Sequence, residues 1–374
     1  MKFEDFIDVR DGTHDSPKAV EDGVYLLTTK GLKNQKIDFE GLKKVSFQDA
    51  KKINERSIVE QYDILLSMIG TVGNVYQERK SRVPYVIKNV ALLKFHGDKL
   101  LSDWTYYYLL SPSGQQQINL HKKGSTQQFI SLKDIRNISV DLPSRSKMKL
   151  LVKKLSVVND KILLNEQIND NLVELLDSTY GYFLDSNPLE SRKIDDIGSV
   201  IGGGTPSKKV KEYWNGTIPW ITPKDLSISG NVFTSKGLTK ISDLGYQNSS
   251  TKMLSAGSVL YSSRAPIGYI SIANNPVTTN QGFKSIVPDK GYPTEFIFEL
   301  LRNETNKIIN SATGSTFKEV SGSQLKNHQI RIPDKSECNK FSNLVRPLFR
   351  NIKDLEYENQ SLVKLRGLLL SKYF

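Results

Sequence analysis

The sequence predicts two α/β (α+β) globular domains in tandem, a pseudo-two-fold repeat separated by a long antiparallel two-helix coiled coil. Three observations predict it. Short motifs recur in the same order in the two halves of the chain. Each repeat has a Gly-, Pro-, Asn-, Ser- and Thr-rich part with short β-type runs. Each then ends in a tail whose apolar residues follow a 4-3-4-3 spacing, the seam of a coiled coil.

The duplication is read first because it decides every later assignment. Gly124-Ser125-Thr126 returns as Gly314-Ser315-Thr316 at an offset of 190, and the apolar-Pro exits Leu142-Pro143 and Ile332-Pro333 keep that offset. Leu27-Thr28-Thr29-Lys30-Gly31-Leu32 resembles Ile221-Thr222-Pro223-Lys224-Asp225-Leu226 at 194, and Gly12-Thr13 matches Gly204-Thr205 at 192. Asp63-Ile64-Leu65-Leu66-Ser67 parallels Gly257-Ser258-Val259-Leu260-Tyr261-Ser262, and Asn89 parallels Asn280. Single triplets match by chance; an ordered series does not. The expected layout is a first domain over 1–143, a first spacer helix over 144–190, a second domain over 191–333 and a second spacer helix over 334–374.

Within the globular parts, 63–68, 83–95, 258–262 and 269–273 read as strands, punctuated by Gly70, Gly73, Gly257 and Gly268. A helical stretch, 104–120 and its partner 294–310, precedes each Gly-Ser-Thr. In the first tail the seam runs Leu151, Leu155, Val158, Ile162, Asn165, Asn169, Leu172, Leu176, Thr179 and Phe183. In the second it runs Phe341, Val345, Leu348, Ile352, Leu355, Asn359 and Leu362. Asn169 and Asn359 hold the same seam position, where a buried asparagine fixes register at some cost in stability. Pro347 should kink the second helix or mark its start, since proline inside a helix costs about 3 kcal/mol. Packed antiparallel, each helix buries a stripe it cannot bury alone. A helix of about 38 residues is roughly 57 Å long, a stiff spacer between two domains in inverted orientation.

Composition narrows the class of partner. The chain has 374 residues, 38% hydrophobic and 25% charged, which suits two folded domains. It lacks an apolar run of membrane-spanning length, and an acidic pair, Glu4-Asp5, stands near the N-terminus where a signal peptide needs an apolar stretch. A single cysteine, Cys338, leaves no intrachain disulfide and no thiolate cluster. A cytoplasmic location is expected. The formal net charge of +12 favours a polyanion, because lysine and arginine displace counterions from phosphates.

Two related basic units about a two-fold match the symmetry of duplex DNA, and divergence between them allows a non-palindromic site. Gly202-Gly203-Gly204-Thr205-Pro206-Ser207-Lys208-Lys209-Val210-Lys211 combines close backbone approach, the Thr205 and Ser207 hydroxyls and three lysines, all suited to phosphate. Its counterpart, Asp11-Gly12-Thr13-His14-Asp15-Ser16-Pro17-Lys18, keeps the Gly-Thr start but substitutes His14 and Asp15 at the tip. Arg264 suits a guanine edge, and Gln127 and Gln128 suit adenine. Lys30, Lys224, Ser125, Thr126, Ser315 and Thr316, in the repeated motifs, complete the candidate DNA-binding set. For each residue taken singly, a solvated loop or turn former is the competing reading.

Gly203-Gly204-Thr205-Pro206-Ser207 followed by Ile218-Pro219-Trp220-Ile221-Thr222 resembles the opening of a target recognition domain in the specificity (S) subunits of Type I restriction-modification systems. Gly12-Thr13-His14-Asp15-Ser16-Pro17 resembles a variant of that opening. The Gly-Ser-Thr element before the apolar-Pro exit also fits, as does Asn165-Glu166-Gln167-Ile168 on a long helix. The resemblance covers essentially the whole chain: recognition domain, spacer helix, recognition domain, spacer helix. It implies that each domain reads one half of a bipartite DNA target and that helix length sets the gap. It also implies that the helices dock two modification (methyltransferase) subunits using S-adenosylmethionine, joined by two ATP- and Mg-dependent restriction subunits. No cofactor is then expected in this chain. Pro347 and a first domain that starts almost at Met1 depart from the family pattern.

Motifs of catalysis are missing. An amino-methyltransferase needs Asn/Asp-Pro-Pro-aromatic, and Asn187-Pro188-Leu189 and Asn275-Pro276-Val277 fail it. The sequence contains no Gly-x4-Gly-Lys-Ser/Thr phosphate loop. Pro333-Asp334 with Glu337 and Lys340 faintly resembles a metal nuclease, but the carboxylate-to-lysine spacing is one residue too long, and a linker is the better reading. The four histidines, His14, His96, His121 and His328, form no ligand pattern, so neither catalysis nor a metal site is expected. The alternatives are a nucleic-acid-binding scaffold outside restriction and, further off, a metal-dependent nuclease.

Overall fold

The computed structural model describes every residue except Asn34, Thr126, Ala265 and 314–317. It divides into two compact units, Met1–Ile162 with Ser361–Phe374, and Leu163–Gln360.

The units share one strand order. In the first, an antiparallel sheet runs Asp8–Asp11, Val90–Lys94, Ile64–Ser67, Val75–Gln77. In the second, the order is Ser199–Gly202, Lys284–Val287, Val259–Ser263, Ile267–Ala273, with Phe233–Thr234 added parallel at the edge. A smaller three-stranded sheet also repeats, Lys44–Val45, Val24–Leu27, Tyr85–Ile87 in one unit and Thr239–Ile241, Trp214–Ile221, Thr278–Thr279 in the other. In both, the central strand pairs antiparallel on one side and parallel on the other. The strands expected over 63–68, 258–262 and 269–273 are present, but the run expected over 83–95 is two strands, Tyr85–Ile87 and Val90–Lys94, which turn at Asn89 (φ +54°) and join different sheets.

Those strands show continuous apolar runs because both faces are covered. All five residues of Val90–Lys94 are buried. Ala91 and Leu93 pack with Trp104 and Tyr107, while Val90 and Leu92 point the other way, toward Leu27 and Ile87. In the second unit Val259 and Tyr261 face Phe296 and Ile297, and Leu260 faces Ile221 and Leu226. Alternate side chains of one strand thus serve two layers.

The helical stretch expected over 104–120 is two helices, Lys99–Leu110 and Pro112–His121. Pro112 supplies no N–H to continue the first helix, and the Ser111 hydroxyl accepts from Gly114 N–H to start the second. Its partner has no such break and runs unbroken over Thr294–Ser311.

The long helices are Arg145–Asp185, of 41 residues, and Lys335–Tyr373, of 39. The second helix starts well before Pro347 and contains it. Phe341 and Val345, ahead of the proline, are buried in the second core, and that packing offsets the proline's cost. Side-chain pairs run antiparallel within each unit. In the first, Lys154 reaches Tyr373 (3.4 Å) and Arg366 Nη1 donates to Asn159 Oδ1 (2.6 Å). In the second, Phe183 stacks on Phe341, with centroids 4.8 Å apart, and Asn165 Nδ2 donates to Asn359 Oδ1 (2.9 Å). Asn359 therefore meets Asn165 rather than Asn169, since an antiparallel pair does not align equal repeat positions.

Buried carboxyls in the second unit make its stability depend on pH. Burial pushes the Glu299 carboxyl up to about 7, against Arg302, whose Nη1 lies 3.1 Å away. Glu356, which accepts the Val232 and Phe233 N–H groups, is also raised by burial to about 7. A carboxyl raised this way favours the fold while protonated; its contribution is whole below the ordinary glutamate range and lost as pH rises through about 7. The second unit's thermal midpoint should fall between about pH 5 and pH 8. Glu299→Gln should flatten part of that fall in a calorimetric series; identical pH curves for both proteins would refute the assignment.

Candidate nucleic-acid interface

In the first unit the Gly-Thr opening lies against the turn between Tyr85–Ile87 and Val90–Lys94. Gly12 N–H donates to Val90 O (3.0 Å) and Thr13 N–H to Ile87 O (3.0 Å). His14 is exposed and spans two partners, Asn89 Oδ1 at 2.7 Å and Asp11 Oδ2 at 2.8 Å. Asp11 is buried and also meets the Arg56 guanidinium. Ser16 accepts from Lys88 Nζ (2.5 Å), and Lys18 is exposed further along the loop. The Thr29 hydroxyl reaches Asn89 O (3.4 Å), which brings exposed Lys30 beside the same turn.

The Gly-Ser-Thr element of this unit sits next to the turn after Ile64–Ser67. Lys123 and Phe129 exchange backbone hydrogen bonds, and Gly70 N–H donates to Gln128 O (2.9 Å). Gly124 has φ +91°, and a Cβ there would lie 2.4 Å from Gln127 O, so glycine is required. Ser125, Gln127 and Gln128 are exposed. Thr126 lies outside the described residues. Val90 joins the two loops: its carbonyl accepts Gly12 N–H, and its strand position pairs with Ser67.

The second unit repeats the arrangement with other side chains. Gly204 N–H donates to Thr279 O (2.9 Å), and a Cβ on Gly203 would fall 1.9 Å from Asn280 O. The Thr205 hydroxyl bonds the Gln281 side chain. Two tryptophans in edge-to-face contact anchor the loop, Trp220 Nε1 donating to Gly204 O (3.0 Å) and Trp214 Nε1 to Ser207 O (3.1 Å). Ser207, Lys208, Lys209 and Lys211 continue outward and are exposed, with Lys208, Trp214, Trp220 and Thr239 lining a shallow cleft. Exposed Lys224 follows Pro223, whose ring approaches Gly282 in the same turn.

Arg264 lies beside the other loop of this unit. Its Nη1 is 3.7 Å from Glu319 Oε2, and Lys284 Nζ is 3.9 Å from Glu319 Oε1. Burial pushes the Lys284 ammonium below its ordinary range; Glu319 opposes that shift and Arg264 adds to it. Ser315 and Thr316 lie outside the described residues. Lys284 pairs with Gly202 in the sheet, which ties the opening loop to this cluster.

Each unit thus carries its described candidates on neighbouring loops. Sequence reasoning missed Lys88, Gln281, Lys284, Glu319, Ile69 and Phe129. Only the Asn89–Asn280 equivalence pointed to the shared turn. Asp334, considered as a metal ligand, accepts the Glu337 N–H at the start of the second long helix, and Glu337 pairs with Lys340. Among the described residues no group of three His, Cys, Asp or Glu is placed to hold a metal, and no helix is long and apolar enough to cross a membrane.

Comparison with known proteins bears on this arrangement. The model of the Type I restriction modification DNA specificity domain matches residues 1–174 and again 187–361. The Type I restriction enzyme MjaIX specificity subunit of Methanocaldococcus jannaschii is 40% identical over 185 residues, 49% of this chain and 43% of that one. This chain therefore aligns with less than half of that relative's length. The EcoR124I/EcoR124II specificity subunit of Escherichia coli is 24% identical over 300 residues, 73% of this chain and 72% of the relative. The S subunit of a Type I restriction-modification system from M. genitalium shares the fold, with TM-score 0.55 and 14% identity over 100% of this chain and 95% of that one.

Proposed function

Since this chain belongs to the family of the Type I restriction modification DNA specificity domain, we propose that it is the specificity subunit of such a system and recognises a bipartite DNA target without catalysis of its own. Each domain reads one half of the target. The long helices set the gap and dock two methyltransferase subunits, which carry S-adenosylmethionine; two ATP- and Mg-dependent restriction subunits complete the restricting complex. Such a subunit works in the cytoplasm.

One observation carries the reading: the two units keep one strand order while the chemistry at equivalent loops differs. The contact from the opening to the shared turn is made by His14 to Asn89 in the first domain and by Thr205, the equivalent of Thr13, to Gln281 in the second, and the lysine run of the second opening has no match in the first. A common frame with divergent tips suits two readers of different letters. The decisive experiment maps methylated adenines in a genome expressing the chain with its cognate methyltransferase subunit. A split motif is expected, with no methyl transfer by the chain alone. Transfer by the isolated chain, or methylation without a motif, would end this assignment.

Lys208, Lys209 and Lys211 are assigned to phosphates. Replacing all three with alanine should weaken binding to every sequence alike and reduce the salt slope by up to about 2.7, roughly 0.9 for each phosphate no longer neutralised. An unchanged slope, measured by titration at several salt concentrations, would remove them from the interface.

A further inference from the structure

A single ladder step differs in kind between the two domains. In the first, Phe129 bridges both Ile69 and Lys123 at the backbone; in the second, Glu319 bridges both Arg264 and Thr313. Lys123 and Thr313 stand at the repeat's offset of 190, as do Phe129 and Glu319, so the two steps are equivalent. Both follow equivalent inner strands of the larger sheets, Ile64–Ser67 and Val259–Ser263. All four side chains present similar surface: Ile69 is 36% exposed and Phe129 41%, while the side chains of Arg264 and Glu319 are 36% and 44% exposed. The fold holds a half-exposed apolar pair at one site and a half-exposed ion pair at the other.

We infer that this step decides which base pair each domain accepts: Ile69 with Phe129 takes the thymine methyl of an A·T pair, and Arg264 with Glu319 takes a G·C pair. The inference rests on the proposed DNA-reading function. In the major groove thymine alone offers a methyl group, which apolar side chains contact. A G·C pair offers acceptors on guanine, matched by an arginine, and an amino donor on cytosine, matched by a carboxylate. Arg264 and Glu319 carry that complementary set side by side, 3.7 Å apart. Gln127 and Gln128 directly precede Phe129 and suit the adenine partner of thymine. Glu319 also orients Arg264 before DNA arrives, its other carboxylate oxygen lying 3.9 Å from Lys284 Nζ.

The test uses the chain assembled with its methyltransferase subunits, on duplexes carrying the mapped target. Uracil replaces each thymine in turn, which removes only the methyl group. At one position in a single half-site the affinity should drop about fourfold, the worth of one buried methyl. Phe129→Ala should bind more weakly and become indifferent to that substitution, with its melting temperature recorded as a folding control. The exchange Ile69→Arg with Phe129→Glu should shift the preference at that position from A·T to G·C and leave the other half-site unaltered. Wild-type protein that binds uracil and thymine alike at every position overturns the inference, even if no variant folds. So does a methyl effect that persists in Phe129→Ala. A complex with no split motif would instead remove the specificity reading, and this inference with it.

Discussion

Asp63→Ala should destabilise the first unit by about 3 kcal/mol, because it strips a buried lysine of its buried partner. Lys94 and Asp63 are 3% and 2% exposed at their side chains, and Nζ lies 2.8 Å from Oδ2. Asp63 also accepts the Glu60 N–H (2.9 Å), and Lys94 donates to Ile58 O (2.9 Å) and to exposed Glu60 (2.8 Å). These remaining acceptors keep the loss at the lower end for a broken buried pair. Burial pushes the Asp63 carboxyl up and Lys94 pulls it back, so the ion pair offsets a desolvation cost rather than adding free stability. The double variant Asp63→Ala with Lys94→Met should therefore recover part of the loss. Urea titration of the four proteins gives the coupling; a single variant within 1 kcal/mol of wild type, roughly the effect of an exposed pair, would show that the pair is not buried in solution.

Replacing residues 191–333 with the equivalent domain of another family member should change one half of the target and leave the other half intact. The cut points favour this exchange. Glu190–Lys193 and Gln329–Ile332 form a two-stranded antiparallel ribbon, with Glu190 opposite Ile332, so the domain enters and leaves through one place. The grafted domain must still accept the long-helix residues Tyr180, Phe183 and Phe341, which surround Phe296. A mismatched base pair costs about 1–3 kcal/mol, so several changed letters should weaken binding to the old target by about a thousandfold or more. Methylome mapping of the chimera reads the result directly. Letters altered in both halves would contradict the division of labour between domains.

The candidate interface was only partly legible in the sequence. The openings at Gly12-Thr13 and Gly203-Gly204-Thr205 stood out because close backbone approach restricts the residue type, as the Asn280 carbonyl against Gly203 makes plain. Arg264 was found by its chemistry, but its counter-ion Glu319 was not, since a long stretch of chain separates them without any period linking the two. Ile69 and Phe129 were passed over because lone exposed apolar residues are ordinary; only their equivalence to an ion pair gives them meaning.

The sequence by itself determined the duplication, the strand runs and the two long helices. Motif order survives divergence, and burial on a helix or strand imposes a period that can be read locally. Tertiary structure alone decided that Asn359 meets Asn165 and that Lys284 stands beside the Arg264–Glu319 pair. Both depend on which distant segments lie side by side, whereas the helix break at Ser111-Pro112 is local and could have been read from the proline. Pairing between remote loops is set by which strands neighbour one another in the sheet, and that order leaves no periodic trace in the loops that it brings together.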